Sequence, residues 1–338
     1  MIEILHPGLL ASVQDLGRPG HRRSGINPGG ALNTLALSTA NLLVGNAAGD
    51  AGLEITMGAC ELRFTTDTRI ALSGDDFGAR LDGKPVAPYW SVPVIAGQTL
   101  KLAHAGPGNT QGARAYLAVA GGIDVPLLLA SRSTDLKAGF GGHEGRALRK
   151  GDRLPLGTAS RPSMGPAFGL RSPQWSGLGA LQSDSSGLIT LRILPGPESG
   201  QFTVASQKAL YQDKWRVTPN SNRMGYRLEG PQMKRKQSRD LLSHGVVPGV
   251  IQVPPSGQPI ILMGDAQTTG GYPKIGVVIT ADMWKLAQAP LNATIRFQHC
   301  EPEQALQAWE EQQKYLSRAE QTIAALDWSR AARYGKQG

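Results

Sequence analysis

Residues 263–275, MGDAQTTGGYPKI, hold the densest group of side chains that could take part in chemistry. Next to two adjacent glycines stand a carboxylate, an ammonium group, an amide and two hydroxyls. Glycine-rich backbone can turn its N–H groups towards an anion, and a lysine adds a fixed positive charge. We interpret the segment as an anion-binding loop, with a hairpin of solvent-facing polar residues as the alternative. The candidate residues are Asp265, Gln267, Thr268, Thr269, Gly270, Gly271 and Lys274.

Three further segments combine charged groups with turn residues. A guanidinium can hold a carboxylate or a phosphate through two parallel hydrogen bonds. Each segment therefore predicts either a binding site or an ordinary surface turn. The candidates are Arg223 and Tyr226 in residues 221–227, Asp15 and Arg18 in residues 14–30, and Asp135 and Lys137 in residues 131–144. We expect Asp135 and Lys137 to lie two positions apart on one strand, so that both side chains point to the same face. There they reach either one pocket or only solvent.

Ser243 and His244 are the residue types of a nucleophile and its general base. Neighbouring residues of an extended segment point in opposite directions, so these two side chains cannot serve each other directly. We retain His244 as a candidate catalytic residue, with a structural role as the alternative.

Several familiar enzyme motifs are absent from the sequence. It contains no Gly-x-x-x-x-Gly-Lys-Ser/Thr loop, no Gly-x-Ser-x-Gly elbow and no His-Glu-x-x-His pair. Cys60 and Cys300 are too few for a disulfide framework and have no metal-ligand spacing. We therefore expect a reducing compartment and no metal site in this chain alone.

The composition narrows the class of protein. There are 43 glycines and 23 prolines among 338 residues, while 40% of the residues are hydrophobic. This combination favours many short strands joined by tight turns over disorder. The net charge of +9 is mostly dispersed and aromatic residues make up only 6%, which argues against nucleic-acid binding and favours an anionic small molecule or an acidic partner surface. With no signal peptide and no membrane-length apolar run, we expect a cytoplasmic protein.

The apolar pattern predicts a mainly β protein with a few helices. A helical period over residues 33–44 ends at Gly45, and Asp82-Gly83 is typical of a hairpin. Residues 302–332 are predicted to form a helix whose narrow apolar stripe packs on the core, with a partner contact as the alternative. Strands do not alternate regularly with helices, so we predict two barrel-like or sandwich-like β domains.

Residues 158–187 are rich in serine, proline and glycine and show little periodicity. We interpret them as a linker. The predicted organisation is an N-terminal β domain over 1–157, a C-terminal β domain over 188–300, and a C-terminal helix and tail over 301–338.

The same segments carry a family resemblance. VQDLGRPG, SRSTDLKAGFGG, SNRMGYRLEGP and VPGVIQVPPSGQPIILMGDAQTTGGYPKI resemble urea-carboxylase-type carboxyltransferase domains, a family also called allophanate hydrolase subunit 2. The resemblance extends from about residue 2 to residue 297, and within the family it is strongest to the third, or C, subunits of 5-oxoprolinases. It implies two β-barrel domains of cyclophilin-like type.

The resemblance also implies a reaction. Members of this kind work with 5-oxoprolinase subunits B and A, and the complex uses ATP with Mg²⁺ to open 5-oxoproline to L-glutamate, giving ADP and phosphate. The ATP and Mg²⁺ would be shared with the partner subunits. Our hypothesis places Lys274 on phosphate, Asp265 on Mg²⁺ and Arg223 on the substrate carboxylate.

Two other functions stay open from the sequence. The first is half of a biotin-dependent carboxyltransferase site; the chain has no Ala-Met-Lys-Met attachment motif, but biotin could arrive on another chain. The second is a non-catalytic regulator that binds a partner similar to the B subunit.

Overall fold

The computed structural model describes residues 1–104, 112–172, 187–237 and 241–334, with side chains described up to residue 326. In these ranges no helix has both the length and the apolar character needed to cross a bilayer. The chain forms two β-rich halves, followed by one long helix.

Twelve strands are described in the N-terminal half. They are β1 Ile2–Pro7, β2 Leu10–Gln14, β3 Gly52–Thr56, β4 Cys60–Phe64, β5 Thr68–Gly74, β6 Arg80–Leu81, β7 Lys84–Pro85, β8 Trp90–Val94, β9 Thr99–Lys101, β10 Arg114–Val119, β11 Arg153–Leu154 and β12 Phe168–Gly169. They form two sheets, in the orders β11-β1-β4-β9-β6-β7 and β12-β8-β5-β10-β3-β2. One apolar core includes buried residues of both sheets, so this half is a sandwich.

Helix α1, Thr34–Leu43, covers the outer face of the second sheet and contacts β5 and β10. Its N-terminus is capped by the Asn33 side chain, which accepts a hydrogen bond from the Ala36 N–H at 3.0 Å. It ends before Gly45, whose φ of 82° is in the left-handed region. Because α1 lies on one face and the core on the other, every residue of β5 and β10 is buried.

The C-terminal half is built on a closed barrel. The strands described there are β13 Ile189–Pro195, β14 Trp215–Val217, β15 Gly225–Glu229, β16 His244–Gly245, β17 Val250–Gln252, β18 Ile260–Leu262, β19 Thr269–Gly270, β20 Lys274–Val278 and β21 Thr294–His299. The barrel order is β13-β20-β17-β18-β15-β14-β21, and parallel pairing of β13 with β21 closes it. Strands β16 and β19 form a separate two-stranded ribbon.

Short helices complete the halves. They are α2 Val204–Gln212 and α3 Met283–Gln288, with 3₁₀ turns at Arg22–Ser24, Ser199–Gln201 and Thr280–Asp282. Large side chains that fill the barrel core include Trp215, Phe202 and Phe297.

Helix α4, Pro302–Tyr334, packs on both halves. Ala308 belongs to a buried cluster with Ala281 of the barrel half, while Ile323 packs with Leu43 of α1. Leu316 also packs inward, but Trp309 is 43% exposed. The predicted apolar stripe therefore contributes only part of its length to the core.

The mainly β prediction is confirmed, as are the 33–44 helix, the Asp82-Gly83 hairpin and the C-terminal helix. The barrel prediction describes the C-terminal half, and the sandwich-like alternative describes the N-terminal half. Within the predicted linker, β12 pairs with β8 and extends the N-terminal sheet. Residues 173–186 of that linker lie outside the described residues.

Candidate functional site

Arg223 lies in the turn before β15 and is almost completely buried. Its Nε and Nη2 donate to the two carboxylate oxygens of Asp265 at 2.8 and 2.9 Å. Its Nη1 donates to Glu54 Oε1 at 2.5 Å, and its Nη2 also donates to the Gly30 carbonyl oxygen at 2.7 Å. Arg223 thus ties the barrel half to strand β3 and to the 27–31 loop of the N-terminal half.

Glu54 is the centre of this buried network. Its Oε2 accepts from the Leu32 N–H at 2.9 Å and from the Tyr116 hydroxyl at 2.8 Å, and its Oε1 lies 3.5 Å from Arg114 Nε. Burial opposes ionisation of Glu54, but the nearby guanidiniums and these hydrogen bonds hold its pKa below the ordinary value. The carboxylate therefore stays charged at neutral pH.

Tyr226 joins the network through its hydroxyl, which accepts from Arg114 Nη1 at 2.8 Å. The structure thus brings together Arg223, Asp265 and Tyr226, three of the residues predicted from the sequence. Glu54 and Arg114 were not among the predicted site residues, because each is a single charged residue in a mostly apolar strand.

This arrangement bears on the predicted roles of Arg223 and Asp265. Both oxygens of Asp265 accept from Arg223, so binding a cation there would require this ion pair to open. Among the residues that the structure describes, no group of three or more His, Cys, Asp or Glu side chains is placed to hold a metal ion. The donor set therefore does not fit a resident Mg²⁺ in the described part of the chain.

A second polar cluster surrounds Lys274 at the start of β20. Its Nζ donates to the Gly270 carbonyl oxygen at 2.8 Å and lies 3.3 Å from His244 Nδ1. The ribbon makes this contact possible because His244 of β16 pairs directly with Gly270 of β19. The structure therefore places three predicted residues, Lys274, His244 and Gly270, at one point.

Glu198 completes the cluster from the turn that follows β13. Its Oε2 accepts from the Lys274 backbone N–H at 2.8 Å, and its Oε1 lies 3.6 Å from His244 Nε2. Burial lowers the pKa of Lys274, and the Glu198 carboxylate opposes that shift. Glu198 was not among the predicted site residues, because only folding brings its turn, 195–198, next to β20.

The remaining loop residues line the same region. Gln267 is exposed and its Nε2 donates to Gln252 Oε1 at 3.4 Å, while Gln252 Nε2 is buried without a partner among the described residues. The Thr268 carbonyl accepts from the Val246 N–H at 3.0 Å, and the Thr269 side chain is exposed.

Next to the loop is a cavity of about 600 Å³; its lining includes Lys234, Leu241, Gly271 and Tyr272.

A third cluster holds the predicted residues of the N-terminal half. Asp15 accepts from the Gly17 N–H at 2.7 Å and from Ser131 Oγ at 2.8 Å, and so links two loops. Arg18 is fully buried, donates to the Ser133 carbonyl and lies 4.7 Å over the Phe140 ring. Burial lowers the pKa of Arg18, and nearby aspartates oppose that shift.

The predicted strand containing Asp135 and Lys137 is wrong. Residues 135–140 form a turn in which Asp135 Oδ1 accepts from the backbone N–H groups of Lys137 and Ala138 at 3.0 and 2.9 Å. Asp135 is buried and bonded to Asn27, whereas the Lys137 side chain is exposed. Because a capped turn replaces the strand alternation, the two side chains do not share a pocket.

The third cluster borders the Arg223 network. The Gly29 N–H donates to the Gly264 carbonyl oxygen at 3.2 Å, and Gly264 precedes Asp265. The charge of Asp265 opposes the lowering of the Arg18 pKa by burial. Burial raises the pKa of Asp265, and the charge of Asp135 adds to that shift. The loops at 14–30, 131–144 and 263–275 therefore meet between the two halves, while the Lys274 cluster lies further along the last of them.

Comparisons with known proteins agree with this architecture. Residues 24–299 match the family model of the carboxyltransferase domain, subdomain A and B. The chain is 50% identical over 316 residues to the C subunit of the Escherichia coli K12 5-oxoprolinase, covering 94% of this chain and 96% of that relative. It is 41% identical to the C subunit of the Haemophilus influenzae 5-oxoprolinase, covering 96% and 99% of the two chains.

A solved structure, the urea amidolyase of K. lactis, superposes with a TM-score of 0.83 at 32% identity. The superposition covers 94% of this chain and 20% of that one. The fold described above therefore recurs as about a fifth of a larger protein.

Proposed function

Because the chain belongs to the carboxyltransferase domain family, subdomain A and B, we propose that it is one subunit of an ATP-dependent 5-oxoprolinase. The observation that carries the proposal is the 50% identity to a 5-oxoprolinase C subunit over 96% of that relative's length. An alignment of nearly full length supports a shared role better than a single shared domain does. We propose that subunits equivalent to B and A complete the enzyme, and that it works in the cytoplasm.

The reaction explains why such an enzyme needs ATP. The lactam of 5-oxoproline is a poor electrophile, and transfer of the γ-phosphoryl group of ATP to its amide oxygen makes the carbon reactive to water. The C–N bond then breaks, the amine takes up a proton, and phosphate is released. Two water molecules are consumed overall, and the products are L-glutamate, ADP and phosphate.

The Lys274 cluster supplies groups that suit the phosphoryl step. Phosphoryl transfer depends on fixed positive charge and N–H donors around the transferred group. Lys274 is a buried ammonium held by the Gly270 carbonyl, and Gly270-Gly271 gives backbone close to it. We assign Lys274 to a phosphoryl oxygen, and the Arg223–Asp265 pair to holding the 263–275 loop against the N-terminal half.

Reconstitution tests this proposal. The A and B subunits should release phosphate and form glutamate from ATP and 5-oxoproline only when this chain is added, and the chain alone should do neither. Co-expression and size exclusion should give a complex with a protein similar to the B subunit. Glutamate formation by the A and B subunits without this chain, or by this chain alone, would overturn the proposal.

A second candidate is a biotin-dependent carboxyltransferase half-site, favoured by the superposition on urea amidolyase. That function requires biotin on a partner chain, so avidin should abolish activity. Under the 5-oxoprolinase proposal, avidin has no effect and added biotin does not change the rate. Complex formation without any turnover would instead indicate the regulator predicted as a third possibility.

A further inference from the structure

Glu198 contacts two different parts of the Lys274 cluster with its two carboxylate oxygens. Oε2 accepts from the Lys274 backbone N–H at 2.8 Å, and Oε1 lies 3.6 Å from His244 Nε2. On the other side of the imidazole ring, His244 Nδ1 lies 3.3 Å from Lys274 Nζ. The three side chains therefore form a continuous chain from carboxylate through imidazole to ammonium.

The chain of contacts selects one tautomer of neutral His244. A lysine ammonium can only donate, so Nδ1 of the ring must accept from Lys274 Nζ. The ring proton is then on Nε2, where it faces the negative Glu198 carboxylate. Two of the three N–H bonds of the Lys274 ammonium thus have partners among the described residues, Gly270 and His244.

Burial supports a role beyond packing. Glu198 is only 8% exposed, although it lies in a turn between β13 and a 3₁₀ helix. Burial of a carboxylate raises the free energy of the folded protein unless its partners replace the lost hydration. The partners here are the backbone of Lys274 and the ring of His244, both in the candidate site.

We propose that Glu198 is a positioning residue, which favours the Nε2–H tautomer of His244 and so keeps Nδ1 as the acceptor that directs the Lys274 ammonium to an anionic oxygen of the substrate. The inference rests on the proposed function for the identity of that oxygen, a phosphoryl oxygen. The geometry of the three side chains holds independently of it. The Glu198 carboxylate raises the pKa of the Lys274 ammonium against the effect of burial, and the His244 ring contacts that ammonium at 3.3 Å.

Glu198→Gln tests the arrangement sharply. The amide oxygen of glutamine can keep the 2.8 Å bond to the Lys274 N–H, which leaves its NH₂ group facing His244 Nε2. Nε2–H then faces an N–H donor instead of a carboxylate, while Lys274 Nζ still favours Nδ1 as the acceptor. In the full chain labelled with ¹⁵N-histidine, we expect the single Nε2–H tautomer of His244 in the wild type and a mixture of the two tautomers in the variant.

The assembled enzyme gives a second readout. Loss of a hydrogen-bonded charge should lower kcat of Glu198→Gln about 10- to 100-fold. Lys274 acts as a cation, so activity falls as pH rises through its pKa. Removing the carboxylate lowers that pKa further, so the alkaline limb of the kcat profile should move to lower pH.

Glu301→Gln is a matched control. Glu301 Oε1 lies 3.6 Å from His299 Nδ1, the same separation as in the Glu198–His244 contact, but both side chains are exposed. This variant should leave the His244 tautomer, kcat and the alkaline limb unchanged.

An unchanged His244 tautomer in folded Glu198→Gln would overturn the proposal, as would a normal kcat with an unmoved alkaline limb. If Glu198→Gln does not fold, His244→Ala breaks the same chain at a ring that is 44% exposed, and a normal kcat there would also overturn it. A wild-type complex without 5-oxoprolinase activity would defeat the proposed function, and the tautomer would still decide the role of Glu198.

Discussion

Arg223 and Glu54 form a buried ion pair of 2.5 Å between residues 169 positions apart in the chain. Arg223 lies in the barrel half and Glu54 on strand β3 of the sandwich, so the pair joins the two halves. Arg223 also holds Asp265, the carboxylate of the candidate loop. The orientation of the two halves and the position of the loop therefore depend on the same guanidinium.

Replacing Glu54 should destabilise the protein strongly. Glu54→Gln leaves the buried guanidiniums of Arg223 and Arg114 short of a counter-charge, which typically costs about 3–5 kcal/mol. Urea denaturation at pH 7 would measure the loss in the free energy of unfolding. Glu229→Gln removes an exposed partner of Arg216 and should cost no more than about 1 kcal/mol. Equal costs for the two variants would contradict the buried network.

Lys274→Ala should reduce turnover far more than stability. Loss of one preorganised charge in a water-poor site typically lowers kcat about 10²–10³-fold. The measurement is glutamate formation by the assembled complex, with the thermal midpoint taken in parallel. Lys208→Ala on the exposed face of α2 is the control and should change neither by a significant amount. Near-normal turnover with Lys274→Ala would remove this lysine from the site.

Asp282 should contribute to the acid sensitivity of folding. Burial alone would raise its pKa, but hydrogen bonds from Arg192 and the charge of Lys285 lower it below the ordinary value. A carboxyl with a lowered folded pKa stabilises the protein fully above its unfolded pKa, about 3.9 for Asp. This stabilisation is lost as pH falls from there through the folded pKa.

The test for Asp282 is the free energy of unfolding measured between pH 7 and pH 2.5. Asp282→Asn should be less stable at pH 7 and should lose less stability on acidification than the wild type. Asp213→Asn, at an exposed position after α2, is the control. Its free energy of unfolding should fall with decreasing pH as steeply as that of the wild type. If the free energy of unfolding of Asp282→Asn fell with pH as steeply as that of the wild type, this carboxyl would not contribute to the acid sensitivity of folding.

Helix α4 should stabilise the protein through its second half. Ile323 is 2% exposed and packs with Leu43 and Ala319, so Ile323→Ala should cost about 2–5 kcal/mol. Leu306→Ala, at a position that is 56% exposed, should change stability by no more than about 0.5 kcal/mol. Urea denaturation midpoints of the two variants measure the difference. Similar midpoints would show that the packing of Ile323 does not hold α4 on the N-terminal half.

Local patterns in the sequence determined several elements of the secondary structure. Asn33 and Gly45 mark the ends of α1, because an N-cap side chain and a left-handed glycine act within one helical turn. Asp82 and Gly83 both have positive φ, as a tight hairpin requires, so the dipeptide was enough to predict it. The long motifs also indicated the family, since they are stretches of chain that can be compared directly.

Tertiary structure decided what the candidate residues contact. Arg223 was predicted to hold a substrate carboxylate, but its partners Glu54 and Asp265 lie 169 and 42 positions away. Glu198 is 76 positions from Lys274, and no local signal links the two. A charged residue in a turn looks the same in sequence whether it meets water, a ligand or another buried charge. Its role is set by burial and by partners that only the closing of the barrel on the sandwich brings within hydrogen-bonding distance.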